Sequence, residues 1–143
     1  MMSVRNESDI VSQVIKHLIS QGIQLVILEG GSSDGSFEVC SEFVGHGVLS
    51  LESESSTKFQ WHLILKRLYE MALRHQPDWV LLNGADEFLE APSHGQTLEA
   101  AIRSEADKGY DLIQFNNFEF WPTKDDDPAE GDVTNLTMTE YHP

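Results

Sequence analysis

The chain has 143 residues, of which 40% are hydrophobic, and a formal net charge of −15. This length and composition are typical of one globular domain with its own core, and they argue against a disordered chain. The strong negative charge argues against nucleic acid or an anionic membrane as the main partner, and no apolar run reaches the ~20 residues of a transmembrane segment.

The first half of the chain alternates short apolar runs with helical patterns. Three runs are apolar and of strand length: residues 1–4, 23–28 and 47–51. Between them lie two predicted helices, the first capped by Asn6 or Ser8 and ended by Gly22, the second ended by Gly45. The residues predicted to face the core are Val11, Val14, Ile15, Leu18 and Ile19 in the first helix and Phe37, Cys40, Phe43 and Val44 in the second.

The second half continues this alternation. Residues 57–75 carry apolar side chains at helical spacing, and residues 79–82 are predicted to form a buried strand. Thr97 is predicted to cap a fourth helix that Gly109 ends, and residues 110–115 to form a last strand. The residues predicted to face the core are Trp61, Ile64, Leu65, Leu68, Met71 and Ala72 in the third helix and Leu98, Ala101, Ile102 and Ala106 in the fourth.

Strands that alternate with helices predict an α/β domain with a mostly parallel sheet flanked by helices. We assign residues 1–121 to this domain, and residues 122–143 to an acidic, irregular tail or the start of a further region. In such sheets a ligand binds beyond the carboxyl ends of the strands. Three polar segments fall there, at residues 5–7, 29–34 and 83–87, and we expect them to converge on one rim.

The second of these segments is rich in glycine and serine. It begins Glu29-Gly30-Gly31-Ser32 and continues Ser33-Asp34-Gly35-Ser36. Its glycines allow the backbone to approach a ligand closely, its serines offer hydroxyls, and the helix start offers amide groups. The alternative is a turn whose following helix is capped by Ser33 or Asp34. No Gly-Lys-Ser/Thr follows, so the segment is not a P-loop.

Two adjacent carboxylates, Asp86 and Glu87, follow the predicted buried strand. A charge near a core must be paired or metal-bound, and carboxylate oxygens suit Mg²⁺ or Mn²⁺. The alternative is that Asp86 caps a turn while Glu87 is solvated. Asn6 in the first segment has the same two interpretations, as a ligand contact or as a helix cap.

The other charged groups favour solvated surfaces. Four cations lie on or beside the third predicted helix, where they face either a phosphate or solvent: Lys58, Lys66, Arg67 and Arg74. The acidic run at residues 125–127 lacks the glycine and spacing of an EF-hand loop, and is interpreted as a solvated tail. The histidines show no zinc-site spacing.

Cys40 is the one cysteine of the chain. It cannot form an internal disulfide, which favours a reducing, cytoplasmic setting. Because it lies among Phe37, Val39 and Phe43, we interpret it as a small buried hydrophobic residue and not as a catalytic thiol.

Taken together, the three rim segments resemble those of family-2 glycosyltransferases with the GT-A fold. That family usually has Arg-Asn-Glu, then Asp-(Asn/Asp)-Gly-Ser-Thr-Asp-Gly-Thr, then a tryptophan-led strand running into Asp-Ala-Asp-Glu-Phe. This chain has Arg5-Asn6-Glu7, the segment at residues 29–36, and Trp79 leading into Ala85-Asp86-Glu87-Phe88. Order and spacing agree over residues 1–120.

The resemblance implies a Rossmann-like nucleotide-diphospho-sugar transferase fold, a UDP- or GDP-sugar donor, and Mn²⁺ or Mg²⁺ as cofactor. It implies metal ligation by Asp86, supplemented by Glu87. The nucleotide contacts that it implies are Arg5, Asn6, Glu7, Glu29, Gly31, Ser32 and Asp34. A bound cation would also reconcile this acidic chain with a negatively charged diphosphate.

The chain departs from the family pattern at Gly84, which replaces the first aspartate of Asp-x-Asp, and at Gly30, which replaces a nucleotide contact. Such domains usually continue further, so we expect the chain to be a fragment or a truncated form. The catalytic carboxylate base is therefore unassigned and expected to lie outside the chain, although Glu119 has a suitable position.

Three functions are compatible with the sequence. The first is metal-dependent transfer of a sugar, with inversion, from a nucleotide-sugar donor to the hydroxyl of a glycan or other acceptor. The second is nucleotide-sugar binding without turnover, which Gly84 and the short carboxyl end favour. The third is an acidic α/β interaction domain with no small ligand.

Overall fold

A three-stranded parallel sheet is the centre of the computed structural model, which describes residues 1–54 and 60–118. Its strands are β1 (Met2–Val4), β2 (Leu25–Glu29) and β3 (Val48–Ser53), with β2 in the middle. The helices are α1 (Val11–Ser20), α2 (Ser36–Ser41), α3 (Trp61–Leu73) and α4 (Leu98–Asp107). The predicted α/β class and parallel sheet are confirmed, whereas the predicted acidic tail, Glu119 and Lys58 lie outside the described residues.

Strand β2 is covered on both faces, which explains its continuous apolar sequence. Leu25 and Ile27 belong to one buried cluster, and Val26 and Leu28 to another. Helix α1 supplies Val11, Val14, Ile15 and Leu18 to the first cluster, as predicted, and α2 supplies Cys40. Helix α3 supplies Leu68, Met71 and Ala72 to the second. The sheet is therefore held between helices, with its carboxyl edge free for a site.

The prediction of a buried strand at residues 79–82 is wrong. This segment does not form a strand. It meets the sheet through a single parallel bridge between Met2 and Asn83 and through a hydrogen bond of 2.7 Å from the Met1 amino group to the Leu81 carbonyl oxygen, and Val80 and Leu82 are 38% and 43% exposed. The physical reason is the neighbouring strand, because β1 has three residues and offers a short row of backbone partners. The segment still runs parallel to β1 where they meet, so its carboxyl end reaches the same edge.

Two other predictions from apolar pattern fail. Residues 110–115 form no strand, and Leu112 is 81% exposed, because an apolar run becomes a strand only where a neighbour pairs with it. Phe37, Val44 and Trp61, predicted to face the core, are exposed. The short helix α2 turns one face to the core, and that face consists of Ser36 and Cys40, which lie one turn apart. Phe37 lies on another side of this helix.

Capping differs between the first and last helices. Helix α1 begins after Ile10 with no side-chain cap, so the predicted caps Asn6 and Ser8 are wrong; their polar groups bind the glycine-serine loop instead. Helix α4 confirms its predicted cap, since the Thr97 hydroxyl accepts a hydrogen bond from the Ala100 amide at 3.3 Å. Gly109, predicted to end it, has a left-handed φ of 89°.

Candidate functional site

The carboxyl ends of β1 and β2 form the rim on which the candidate site is built. Val4 pairs with Glu29, and the Gly30 amide donates to the Val4 carbonyl oxygen at 2.8 Å. A Cβ added at Gly30 would lie 3.4 Å from the Cβ of Arg5, at ordinary contact distance, so the segments that follow the two strands are adjacent here. The chain continues from here as two loops, residues 5–10 and 30–35, which lie against each other.

Asn6 joins these two loops. The side-chain oxygen of Asn6 accepts a hydrogen bond from the Ser33 backbone amide at 3.0 Å, and the backbone amide of Asn6 donates to the Ser32 hydroxyl oxygen at 3.0 Å. Asn6 has a left-handed φ of 56°, and Gly31 on the facing loop has one of 74°. Asparagine and glycine are the residues that tolerate this backbone conformation best. The predicted nucleotide contacts Asn6, Gly31 and Ser32 are therefore together, and two of them bind each other.

Asp34 and Ser36 make a second set of links. Asp34 accepts from the Ser8 amide at 3.0 Å, from the Ser36 amide at 3.0 Å and from the Ser36 hydroxyl at 2.6 Å. The Glu7 amide donates to the Ser36 hydroxyl oxygen at 2.8 Å. The hydrogen bonds from Ser36 and Ser8 hold the pKa of the Asp34 carboxyl far below its usual range. Asp34 is therefore ionised, and its carboxylate holds the loop at residues 5–10 against the loop at residues 30–35.

Glu29 is a buried carboxylate whose two oxygens are both used inside the chain. One accepts a hydrogen bond from the Ser32 amide and the other from the Ser53 hydroxyl at 2.7 Å. Burial favours the neutral acid, but the hydrogen bonds from Ser32, Ser53 and Gly31 outweigh it and lower the pKa of Glu29. With 2% exposure, Glu29 shapes the loop in this structure, and direct contact with a nucleotide stays a prediction.

The third segment forms a turn that presents two exposed carboxylates. Asn83 is buried, and its side-chain amide donates to the carbonyl oxygens of Gly84 and Glu87 at 2.6 and 3.0 Å. The Glu87 carboxylate accepts from the Gly84 amide at 2.7 Å, while Asp86 is exposed and its neighbour Ala85 is buried in the first apolar cluster. The turn leaves Asp86 accessible and gives Glu87 a structural bond.

The third segment lies beside the first, because Asn83 bridges Met2 and the Asn83 amide donates to the Met1 carbonyl oxygen at 3.1 Å. Partial burial raises the pKa of the Glu7 carboxyl, and the negative charge of Asp86 raises it further. Asp9 and Asp34 act in the same direction. None of the ion pairs found in the described residues involves these four carboxylates. The predicted convergence of the three segments is thus present, and its product is a cluster of like charge.

The candidate metal ligands do not form a closed cage. Among residues 1–54 and 60–118, no group of three or more His, Cys, Asp or Glu side chains is arranged to hold a metal ion. An added Cβ at Gly84 would lie 2.9 Å from an Asp86 carboxylate oxygen. This is closer than real Cβ contacts come, so any side chain at Gly84 would require the Asp86 and Glu87 side chains to move.

Arg67 and Arg74, for which the sequence left a phosphate or solvent as alternatives, bind a carboxylate of the chain. Arg67 and Arg74 both donate to Glu52 at the end of β3, Arg74 at 2.6 Å. The bond from Arg74, then the charge of Arg67, lowers the pKa of the Glu52 carboxyl. Lys66 lies 3.9 Å from Glu70 in the same helix and is mostly exposed. Arg67 and Arg74 thus join α3 to β3 through Glu52, beside an open pocket of about 400 Å³ that Arg67 and Glu52 help to line, whereas Lys66 pairs within α3.

Three residues of the rim were not singled out from the sequence. Ser36 and Asn83 are buried polar residues that fasten loops, and His17 of α1 binds the Leu89 carbonyl. His17 stands three residues after Val14, which places it beside the apolar face of its helix, and this spacing was an available signal. Ser36 and Asn83 lie within the polar segments noted in the sequence, but nothing there shows that Ser36 accepts from the distant Glu7 amide or that Asn83 binds the Gly84 and Glu87 carbonyl oxygens.

Cys40 has the predicted structural role. It is fully buried in the first apolar cluster. Burial, with a smaller effect from the Glu29 charge, raises the pKa of its thiol to about 11. A thiol that stays protonated at neutral pH is a poor nucleophile, which agrees with a packing role.

Comparisons with known proteins give no family for this chain. Neither the family models, nor the curated proteins, nor the solved structures with which it was compared match it. Within the described part of the chain, no helix combines the length and the apolar character needed to cross a bilayer.

Proposed function

We propose that this chain is the nucleotide-sugar-binding part of a glycosyltransferase with a GT-A fold, and that the rim binds the nucleotide diphosphate of the donor. One observation carries the proposal. Three segments far apart in sequence meet at the carboxyl edge of a parallel sheet, where Asn6 holds Ser32 and Ser33 and where the Asp86 charge acts on Glu7. Ligands of open α/β sheets bind at this edge.

The acidic character of the rim determines how a diphosphate would bind. Glu7, Asp34 and Asp86 repel a phosphate, whereas Arg5 is the nearby cation, exposed and packed over Gly30. A divalent cation supplies charge neutralisation of the diphosphate leaving group when it is bound. Asp86 would hold that cation, and the loops at residues 5–7 and 30–35 would orient the nucleotide around it.

The residues present fit a cation that arrives with its nucleotide. Mg²⁺ and Mn²⁺ sites of this kind use one or two protein carboxylates together with substrate phosphates. Asp86 is exposed, and the buried Asn83 side-chain oxygen has no hydrogen-bond partner in the described residues. Because there is no cage of three carboxylates, we expect the cation to bind weakly alone and more tightly with a nucleoside diphosphate.

The transfer reaction itself is the part implied by the family resemblance. A carboxylate base would take the proton of an acceptor hydroxyl while the sugar leaves its diphosphate with inversion. Asp34 and Glu29 are not suitable bases, because their low pKa values make them weak proton acceptors and their oxygens already accept hydrogen bonds. The base is therefore expected to come from outside the described residues.

A specific observation favours a second function, nucleotide-sugar binding without turnover. Gly84 brings no carboxylate to the turn, and the Glu87 carboxylate is bound to the Gly84 amide. Such a site would bind a nucleotide through the same loops, with a weak dependence on the cation. The two functions differ in how strongly binding requires Mn²⁺ and in whether the donor is consumed.

Thermal unfolding with UDP, GDP, CDP and TDP, each with and without Mn²⁺, tests the proposal. A ligand at about 100 times its dissociation constant stabilises a protein by roughly 2.7 kcal/mol, which raises the midpoint of a domain this size by several degrees. We expect one nucleotide to produce this shift with Mn²⁺, and Asp86→Ala to abolish it.

Asp78→Ala is the matched control, since Asp78 is exposed and precedes residues 79–82, whereas Asn83 and the Asp86 turn follow them. It should leave the shift unchanged. An equal shift without Mn²⁺ would favour binding without turnover. If no nucleotide shifts the midpoint, the chain holds no working donor site, and the interaction-domain hypothesis replaces the proposal.

A further inference from the structure

His17 connects helix α1 to the turn that carries Asp86, which comprises residues 83–89. The Nε2–H group of His17 donates a hydrogen bond to the Leu89 carbonyl oxygen at 2.8 Å. Its ring meets the ring of Phe88 edge to face, with centroids 5.3 Å apart and planes at 67°. Edge-to-face aromatic contacts of this kind are favourable and directional. One half-buried side chain therefore makes two directed contacts with the residues that follow Asp86 and Glu87.

The same helix also holds the first rim segment. The amides of Ile10 and Val11, at the start of α1, both donate to the Glu7 carbonyl oxygen, Val11 at 2.9 Å. Glu7 is therefore attached to one end of α1, and the Asp86 turn is attached through His17 further along it. A helix is a rigid spacer, so α1 relates the two carboxylates to each other.

The other contacts of the turn do not fix Asp86 in the same way. Ala85 and Leu89 pack their side chains on the first apolar cluster, and apolar packing is not directional. The Asn83 side chain binds Gly84 and Glu87 within the turn, and its backbone amide donates to the Met1 carbonyl oxygen at 3.1 Å, which attaches the start of the turn to the sheet and not to α1. His17 is the side chain of α1 that makes a directed hydrogen bond to the turn among the described residues.

We propose that His17 is a positioning residue, which holds the Asp86 turn against α1 and so sets the place of the Asp86 carboxylate relative to Glu7. A consequence that rests on the proposed function is that His17 controls the affinity of the rim for a cation-bound nucleoside diphosphate. Partners that orient metal-binding side chains typically change metal affinity by 10- to 100-fold when removed, and we expect about a tenfold loss here.

Two substitutions separate the hydrogen bond from the packing. His17→Leu keeps an apolar side chain beside Phe88 but has no donor for the Leu89 carbonyl. His17→Gln has a side-chain amide that donates to the same carbonyl. A residue needed only for packing would tolerate leucine better than glutamine, whereas a positioning residue is rescued by glutamine.

The first readout needs no ligand. Amide chemical shifts and hydrogen exchange are measured by NMR for the wild-type protein and both variants. In His17→Leu we expect faster exchange and shifted resonances at residues 84–89, including the Gly84 amide that Glu87 holds, with α2 and β2 unchanged. His17→Gln should resemble wild type. Unchanged turn amides in His17→Leu, or equal disturbance in both variants, would overturn the proposal.

The second readout is affinity for the nucleoside diphosphate with the largest thermal shift, in the presence of Mn²⁺. We expect His17→Leu to lose about tenfold and His17→Gln to recover most of it. Wild-type affinity in His17→Leu, despite a disturbed turn, would overturn the consequence for binding. If the wild-type protein binds no nucleotide, the proposed function fails, while the amide measurements still decide whether His17 positions the turn.

Discussion

Asn6 shows at the scale of one residue how much of the site the sequence could predict. Its place on the rim and its proximity to Ser32 and Ser33 follow from the strand order, and both are present. Its bonding partner could not be predicted, because Asn6 stands just before a helix, where capping is the local alternative. Tertiary contact with a loop 26 and 27 residues away decided between them.

Glu7 is the residue at which the rim carries an electrostatic cost. Its pKa is raised by partial burial and by the charge of Asp86, so the ionised form is less favourable in the folded protein than in the unfolded chain. Above both pKa values the carboxylate is charged in both states and this cost is complete. As pH falls through the folded pKa towards the unfolded value of about 4.3, the folded protein binds the proton first and gains stability.

Glu7→Gln therefore should raise the free energy of unfolding at pH 7, because an amide carries no charge beside Asp86. The gain over wild type should shrink as the pH falls through the folded pKa, and it should be lost well below about 4.3, where the wild-type carboxyl is protonated in both states. Denaturant unfolding at several pH values measures both effects.

Any neutralised acid relieves some repulsion in a chain with net charge −15, so this prediction needs a control. Glu42→Gln removes the same charge from an exposed position after α2. Its effect at pH 7 should be smaller than that of Glu7→Gln. Equal gains in the two variants would mean that burial and the Asp86 charge do not destabilise the Glu7 carboxylate more than the net charge of the chain does.

At the scale of elements, helices were predicted better than strands. The core faces of α1 and α3 follow from a repeat of apolar residues within one segment, and Leu18 and Leu68 are buried as expected. A strand also needs a neighbour, and residues 79–82 found only the three residues of β1. Residues 110–115 show the same limit, since nothing in their own sequence specifies a partner.

The join between α3 and β3 depends on one carboxylate and two arginines. Glu52 accepts hydrogen bonds from Arg67 and Arg74, and its side chain is 25% exposed against 39% and 52% for the arginines. Partial exposure screens these pairs, so their contribution is modest. The arginines were candidates for a phosphate site, but their pairing makes them part of the scaffold beside the rim.

Glu52→Gln should lower the free energy of unfolding by about 1 kcal/mol, because it weakens two charge-assisted hydrogen bonds at a partly screened position. Urea unfolding at low salt and at about 1 M salt, where the Debye length falls to about 3 Å, provides the measurement. The difference between variant and wild type should be smaller at high salt.

Glu70→Gln is the comparison for this effect, since Glu70 faces Arg67 and Lys66 at the longer distances of 3.8 and 3.9 Å. Its cost should be clearly smaller than that of Glu52→Gln. A loss of the same size in both variants, with the same salt dependence, would show that the α3–β3 join has no special weight.

At the scale of the whole molecule, a small parallel sheet brings distant residues together at its carboxyl edge. Met2, Glu29 and Asn83 lie in segments that share this edge, and their loops provide the charged and polar groups of the rim. The convergence was predictable because parallel strands end on the same side. The hydrogen-bond partners of the side chains were not predictable, since Glu29, Asp34 and Glu87 bind neighbouring backbone amides that the sequence pattern does not identify.

We expect the acidic residues of the rim to have two different roles. Glu29 and Asp34 are ionised and bonded within the chain, so they hold the loops. Asp86 is exposed, and its charge acts on Glu7, so under the proposed function this pair is the place where a cation would bind. The first group should affect stability, and the second should affect ligand binding.

Paramagnetic relaxation by Mn²⁺ tests the central claim most directly, which is that the three loops form one nucleotide-diphosphate site. Amide relaxation is measured with Mn²⁺ and the nucleotide that gives the largest thermal shift, with Mg²⁺ as the diamagnetic reference. We predict the strongest enhancement at the amides of residues 6–8, 32–34 and 85–87, dependent on the nucleotide and lost in Asp86→Ala. Enhancement that is strongest elsewhere on this acidic chain, or that is the same without nucleotide, would contradict the account.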